Sequence, residues 1–265
     1  MNKKALAIIL CVTLMISAAV CATAEEVIDI SGVTLLQDGV LNVGSEILYP
    51  PFEVYAEDGT TPMGYDVDLV YAIAEKLGLA VNYIDTSWDG IFQGIGVNYD
   101  IVVSAVTITS DRQENMLFSD PYINNFQAVV VLAGYEGEIT GFLDLDGKVL
   151  AVQKETTSDI LMSDYVATKT ISATISANEK IATCFTQLKN GEVDAVVVDS
   201  TVAENYLAAE PDVYKLAFLD ESEPEQFGIA MALDNVALQT AINEALAQLV
   251  EEGFLAENYA FWLGE

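Results

Sequence analysis

The stretch DIVVSAVTITSDRQ, residues 100–113, decides the fold class. Between Asp100 and Val106 it is an apolar, β-branched run, the pattern of a strand buried on both faces. Such a strand belongs to a parallel sheet, and a parallel sheet needs helical crossovers to cover it. The run ends in hydroxyls at Ser104 and Thr107. Five residues beyond Thr107 stands Arg112, the only arginine of the chain.

The sequence on either side supplies the crossovers. Upstream, VLNVGS (Val40–Ser45) and AVNYID (Ala80–Asp85) read as strands. Between them Val67, Val70, Ile73, Ala74 and Leu77 form one helical stripe, which Asp66 can cap and Gly78 stops. SWDGIFQGIGV begins a second helix, weakened by Gly94 and Gly96. Downstream the pattern restarts. Phe126–Leu132, Lys148–Gln153 and Val193–Asp199 read as strands. TTSDILMSDYV and STVAENYLAAE read as helices. SANEKIATCFTQLKNG reads as a helix opened by a capping box of Ser176 with Glu179. DESEPEQ is expected to be an acidic loop. FGIAMAL (Phe227–Leu233) is then a strand, followed by an amphipathic helix from Asn235 to about Glu252 and a short terminal helix. Alternating strands and helices in two blocks, with a tail that would otherwise be an orphan, predict an α/β protein of two lobes. Each lobe is a mainly parallel sheet flanked by helices. Two crossings join the lobes and enclose a cleft. The expected boundaries are 39–125 plus 226–265 for lobe 1 and 126–225 for lobe 2.

The amino terminus is set apart. Lys3 and Lys4, the apolar run Ala5–Val20 and Ala22-Thr23-Ala24 read as a secretory signal over residues 1–24, followed by an extension over 25–38. Export to the periplasm or the cell surface follows. Lipid attachment at Cys21 is a variant, which Val20 just before it does not favour. Of the three cysteines only Cys184 would remain after cleavage, on an apolar helical face where a buried thiol is expected. The chain holds 41 acidic residues against 10 basic ones and no histidine. A nucleic-acid partner is excluded by that balance, and a soluble monomer is expected. The lack of histidine removes the commonest general base and metal ligand. No metal or cofactor motif is present, and none is expected to bind.

Ligands of open α/β sheets bind beyond the carboxyl ends of strands. One buried strand ends near Arg112, another in Asp199. A guanidinium gives a carboxylate two parallel hydrogen bonds, and an aspartate can meet an ammonium. Facing each other from two lobes, they would match a free α-amino acid. Two plainer readings stay open on these residues alone: Arg112 as a surface partner of Asp111 or Glu114, and Asp199 as a helix cap.

The segments YPPFE (Tyr49–Glu53), Asp58–Leu79, SWDGIF (Ser87–Phe92), SAVTITSDRQENMLFSDPY (Ser104–Tyr122) and LDGKVLAVQKETTSD (Leu145–Asp159) together resemble the family 3 solute-binding proteins, the polar amino-acid receptors of ABC importers. The resemblance runs in order along the chain after the signal. It implies the two-lobed fold of periplasmic binding proteins. It also implies that Arg112 clamps the ligand carboxylate and that Ser104, Ala105 and Thr107 meet the ligand's charged groups. Thr156 would offer a backbone N–H at a helix start, and Asp199 would take the ammonium. Tyr49 and Trp88 would sandwich the ligand side chain, with Glu46 at its far end. Against these readings, Tyr49 and Trp88 could be core packing and Glu46 a solvated loop charge. Lys154 and Glu155 stand where small residues are common in the family, and Ala105 where a hydroxyl or glycine is. The resemblance implies binding without catalysis, with the amino acid and a membrane permease as partners. A sensor module is the alternative. A dehydratase on the same scaffold would need Glu155 or Glu46 to move a proton. Glu46 and the negative field favour lysine, arginine or ornithine, with glutamine or cystine as further candidates.

Overall fold

A computed structural model describes residues 28–264. The expected signal, with Cys11 and Cys21, lies outside the described residues. The strands are β1 (Val40–Ser45), β2 (Val54–Tyr55), β3 (Pro62–Met63), β4 (Ala80–Asp85), β5 (Ile101–Val102), β6 (Leu117–Phe118), β7 (Ile123–Leu132), β8 (Val149–Gln153), β9 (Thr174–Asn178), β10 (Ala195–Asp199), β11 (Tyr214–Phe227) and β12 (Ala230–Met231). The helices are α1 (Tyr65–Leu77), α2 (Ser110–Gln113), α3 (Thr157–Ala167), α4 (Ile181–Lys189), α5 (Ser200–Ala209), α6 (Val236–Glu251) and α7 (Phe254–Trp262). Among the described residues no helix is long and apolar enough to cross a membrane.

Two five-stranded sheets carry the fold, ordered β4-β1-β5-β12-β6 and β11-β7-β10-β8-β9. Each is parallel where helices connect its strands and antiparallel where the chain passes to or from the other sheet. In the first, β4, β1 and β5 are parallel, and β12 runs against β5 and β6. In the second, β10, β8 and β9 are parallel, and β7 runs against β10 and β11. The chain crosses from β6 to β7 and returns from β11 to β12.

Both faces of the opening stretch are buried. Ile101 and Val103 enter the core under α1 and α6, and Val102 and Val106 enter a second core with Trp88, Ile91 and Phe118. β10 alternates in the same way, with Val196 and Val198 on one core and Ala195 and Val197 on another. Pairing in β5 nonetheless covers only Ile101–Val102. Ala105, at φ +48°, turns the backbone out of the strand and toward the cavity. Cys184 is a free, buried thiol on α4, and burial pushes its pKa up to about 12.

Four local expectations are corrected. The segment at Ile91–Gly94 is a single 3-10 turn, not a helix. Tyr99 packs so closely there that a Cβ on Gly94 would lie 2.2 Å from its ring. Asp66 does not cap α1. The capping position is Gly64, where φ is +142° and a Cβ would meet the Phe52 carbonyl at 2.1 Å. The capping box fails because Ser176 belongs to β9, in register with Ala151 of β8; α4 starts only at Ile181. DESEPEQ is not a loop but part of β11. β11 lies at a sheet edge, where charges and Pro224 are compatible with strand structure and discourage pairing with other chains.

Candidate functional site

Five parallel strands point their carboxyl ends at one cavity between the sheets. Glu46 follows β1, Trp88 follows β4, and Ser104, Ala105 and Thr107 follow β5. Gln153 ends β8 and Asp199 ends β10. Tyr49, Arg112 and Thr156 complete the ring, so the structure brings all nine residues singled out in the sequence to this cavity.

Arg112 sits in α2, half-buried, its guanidinium 5.5 Å from the Trp88 ring centre and 5.2 Å from that of Phe92. One of its terminal nitrogens donates to the Thr107 carbonyl at 2.8 Å. Among the described residues no carboxylate reaches ion-pair distance of it, and neither Asp111 nor Glu114 is a partner. Burial lowers its pKa, opposed by the charges of Glu225 and Asp199. A desolvated guanidinium without an anion is costly unless a ligand supplies one.

Asp199 occupies the capping position of α5, but its side chain caps nothing there. One carboxyl oxygen accepts from Asn125 at 2.7 Å, and the other accepts from the Tyr49 hydroxyl. Burial, then the charge of Glu225, pushes its pKa up to about 7. The Tyr49 hydroxyl is pushed well above its ordinary value, by burial and then by Asp199, so it stays a donor. Glu225 on β11 accepts from Thr107 at 3.1 Å and from Thr157 at 3.3 Å, which ties both sheets to the crossing.

The far end is built differently. The Glu46 carboxylate is buried, with Lys180 at 2.7 Å and the Gln153 amide at 2.5 Å. Its backbone N–H donates to Ser104 Oγ at 3.1 Å. Lys180 stands at the start of α4 and Gln153 at the end of β8, so both contacts span the two sheets. Lys154 adds an exposed bridge to Asp89 at 2.9 Å. These contacts hold the cleft closed.

Thr156 caps α3, accepting from the Asp159 N–H at 3.3 Å while its hydroxyl donates to the Gln153 carbonyl at 2.7 Å. The preceding Glu155 takes φ +62°, a conformation in which glycine costs less. Its side chain does not line the cavity. It stays exposed, 3.6 Å from Lys154.

Sequence reading missed four contributors. Gln153 and Thr157 line the cavity. Gln153 was legible by the rule that picked Asp199, as the last residue of a buried strand. Lys180 and Glu225 carried no local signal. One falls inside an expected helix, just past its capping box, and the other inside an expected loop.

Comparison with known proteins agrees with this architecture. Residues 41–265 match the model of the bacterial extracellular solute-binding proteins, family 3. The L-cystine-binding protein of Bacillus subtilis (strain 168) is 30% identical over 235 residues, 88% of this chain and 84% of that one. An ancestral arginine-binding protein bound to arginine superposes with a TM-score of 0.80 at 35% identity, covering 85% of this chain and 99% of that one. An ancestral arginine-binding protein bound to glutamine gives 0.79 at 35% identity, covering 86% and 100%. With the family pattern running from β1 to the carboxyl terminus, the chain belongs to family 3 of the bacterial extracellular solute-binding proteins.

Proposed function

We propose that this chain is an extracytoplasmic receptor that captures a free polar or cationic amino acid by cleft closure and delivers it to the membrane permease of an ABC importer. The observation that carries the reading is Arg112, a half-buried cation with no carboxylate at ion-pair distance among the described residues, sharing a cavity with Asp199 from the other sheet. Together they complement a carboxylate and an ammonium at one end of a small molecule.

In this reading, residues 39–125 with 226–265 form the lobe that binds first, through Arg112, Thr107, Ser104, Ala105 and the rings of Tyr49 and Trp88. Closure then brings Asp199 and Thr156 from residues 126–225, and the closed form is what the permease meets. Residues 1–24 act as the export signal, and the receptor works as a monomer outside the cytoplasm. No reaction on the ligand is invoked: Glu155 lies off the cavity, and Glu46 is held by Lys180 rather than poised to move a proton.

Lys180 refines the ligand. Glu46 lines the cavity and is already paired with Lys180 at 2.7 Å. A polar uncharged end, such as an amide, meets both with neither left unpaired. A second ammonium–carboxylate head, as in a cystine-like ligand, would meet them equally well. A purely cationic end must displace Lys180.

A thermal-shift panel of amino acids tests the reading, on protein freed of carried-over ligand by partial unfolding and dialysis. A ligand at a hundredfold its Kd adds about 2.7 kcal/mol, or roughly 5–10 °C for a chain of this size. A shift with one or a few amino acids supports the receptor. No shift with any of them sinks it.

A further inference from the structure

Behind the ligand-facing segment, two buried carboxyls have, among the described residues, no cation at ion-pair distance. Glu53 closes the turn that begins at Tyr49 and is fully buried; Asp66, in the first turn of α1, is 1% exposed. The Asp66 N–H donates to the Phe52 carbonyl at 3.1 Å, which ties the two segments together. Consecutive residues of the cavity wall then hold one carboxyl each. Ser104 Oγ donates to Glu53 Oε1 at 2.6 Å, and the Ala105 N–H donates to Asp66 Oδ2 at 2.7 Å. Tyr122 adds a donor to that same Asp66 oxygen at 3.0 Å.

This leaves Glu53 Oε2 and Asp66 Oδ1 completely buried without hydrogen-bond partners. Two adjacent carboxylates cannot both ionise cheaply out of water. One proton on the pair removes that conflict. The groups facing the pair are Tyr49 of the turn, Tyr65 of α1, Tyr83 of β4, Tyr122 before β7 and Glu46 after β1. All are phenols or acids, so none can neutralise it.

We propose that Glu53 and Asp66 hold one proton between them, and that this proton positions Ser104 and Ala105 for the ligand. Burial, then the charge of Asp66, holds Glu53 well above the ordinary carboxylate range, and burial pushes Asp66 up to about 7. Both are acids that keep the proton longer when folded. Their contribution to stability is therefore full at low pH. It is lost as pH rises from about 4 through the folded values. Once the proton leaves, repulsion between the carboxylates strains the two hydrogen bonds that set the cavity wall. The effect on affinity rests on the amino-acid-binding reading above; the effect on stability does not.

Glu53→Gln tests this in the full chain. Its amide oxygen can still accept from Ser104, and the amide is uncharged at every pH, a permanent equivalent of the protonated carboxyl. Melting curves without ligand are compared from pH 6 to pH 10. The wild-type Tm is expected to fall relative to the variant by roughly 5 °C or more across this range. An infrared carbonyl stretch from a protonated carboxyl at pH 7 should be present in the wild type and absent in Glu53→Gln. Asp66→Asn should flatten the pH profile in the same direction. Parallel melting profiles, or no protonated carboxyl at pH 7, would overturn the shared proton. For the amino acid found by the panel, the wild type should lose about tenfold more affinity than Glu53→Gln over each pH unit beyond the loss of the proton. The ligand's own ammonium titrates in both proteins and cancels. Equal affinity profiles would overturn the positioning role. If the melting and infrared results hold while no amino acid binds, the shared proton stands and the receptor reading fails.

Discussion

At one end of the cavity Arg112 carries a charge that no carboxylate among the described residues meets at ion-pair distance; at the other, Glu46 carries one that Lys180 meets at 2.7 Å. The first end is incomplete without a ligand and the second is not. A half-buried charge without an ion-pair partner gains strongly from a ligand of opposite charge. A charge already paired contributes mainly by rejecting ligands that would break the pair. In the proposed receptor, the amino-acid head group is met at the Arg112 end. What distinguishes this chain sits at the Glu46 end.

The largest effect expected is at Arg112. Its guanidinium lies over the rings of Trp88 and Phe92 and donates to the Thr107 carbonyl. Lysine keeps the charge but loses the planar stacking and the paired hydrogen bonds. Arg112→Lys should weaken binding by about a hundredfold, or ~2.7 kcal/mol, in calorimetry with the amino acid found by the panel. Unchanged affinity would move the carboxylate site elsewhere and erase the contrast between the two ends.

The next effect is a pH dependence. In the empty protein Asp199 is pushed up to about 7, by burial and then by Glu225. An ammonium beside it favours its ionised form, so the value drops on binding. Binding thus requires the proton to leave, and affinity falls as pH drops below about 7, by roughly tenfold per unit. The empty protein shows the opposite trend. A raised carboxyl contributes stability at low pH and loses it as pH rises from about 4 to about 7. Ligand and proton are competitors at this residue. An affinity independent of pH between 5 and 7 would remove Asp199 from the ammonium site.

The contrast between the ends also follows what could be read from the sequence. Arg112, Asp199 and the hydroxyls of Ser104 and Thr107 stand at the ends of strands whose burial on both faces is written in their β-branched runs. The sheets and the cavity's ligand-facing end follow from that local signal. Lys180 reaches Glu46 from 134 positions away, and Glu225 joins Thr107 from 118 away. No periodicity or motif encodes such pairings. The two misread segments share that cause. Ser176 and Glu179 fit a capping box locally, yet the register of β9 on β8 takes Ser176 into the sheet. DESEPEQ has loop composition, yet Asp220, Glu225 and Gln226 pair with β7, and only the four residues between them bulge out of the register.

Lys180 carries the smallest predicted effect and the one most particular to this chain. Its side chain is about a third exposed, so part of its interaction with Glu46 is screened by solvent. Lys180→Met would keep much of the aliphatic packing and leave the Glu46 carboxylate buried with only the Gln153 amide and the Ser104-bound backbone around it. A ligand cation would then find an unpaired anion, while an amide would lose one of its two charged partners. Affinity for arginine or lysine relative to glutamine should rise by roughly five- to tenfold, about 1 kcal/mol, in paired titrations of the two proteins. If the ratio does not change, Lys180 does not guard the far end, and Glu46 accepts a cation beside it. The cationic ligands first suggested by Glu46 alone would then regain their place. If the ratio rises, the difference between the two ends is a device for selectivity, with general capture left to Arg112.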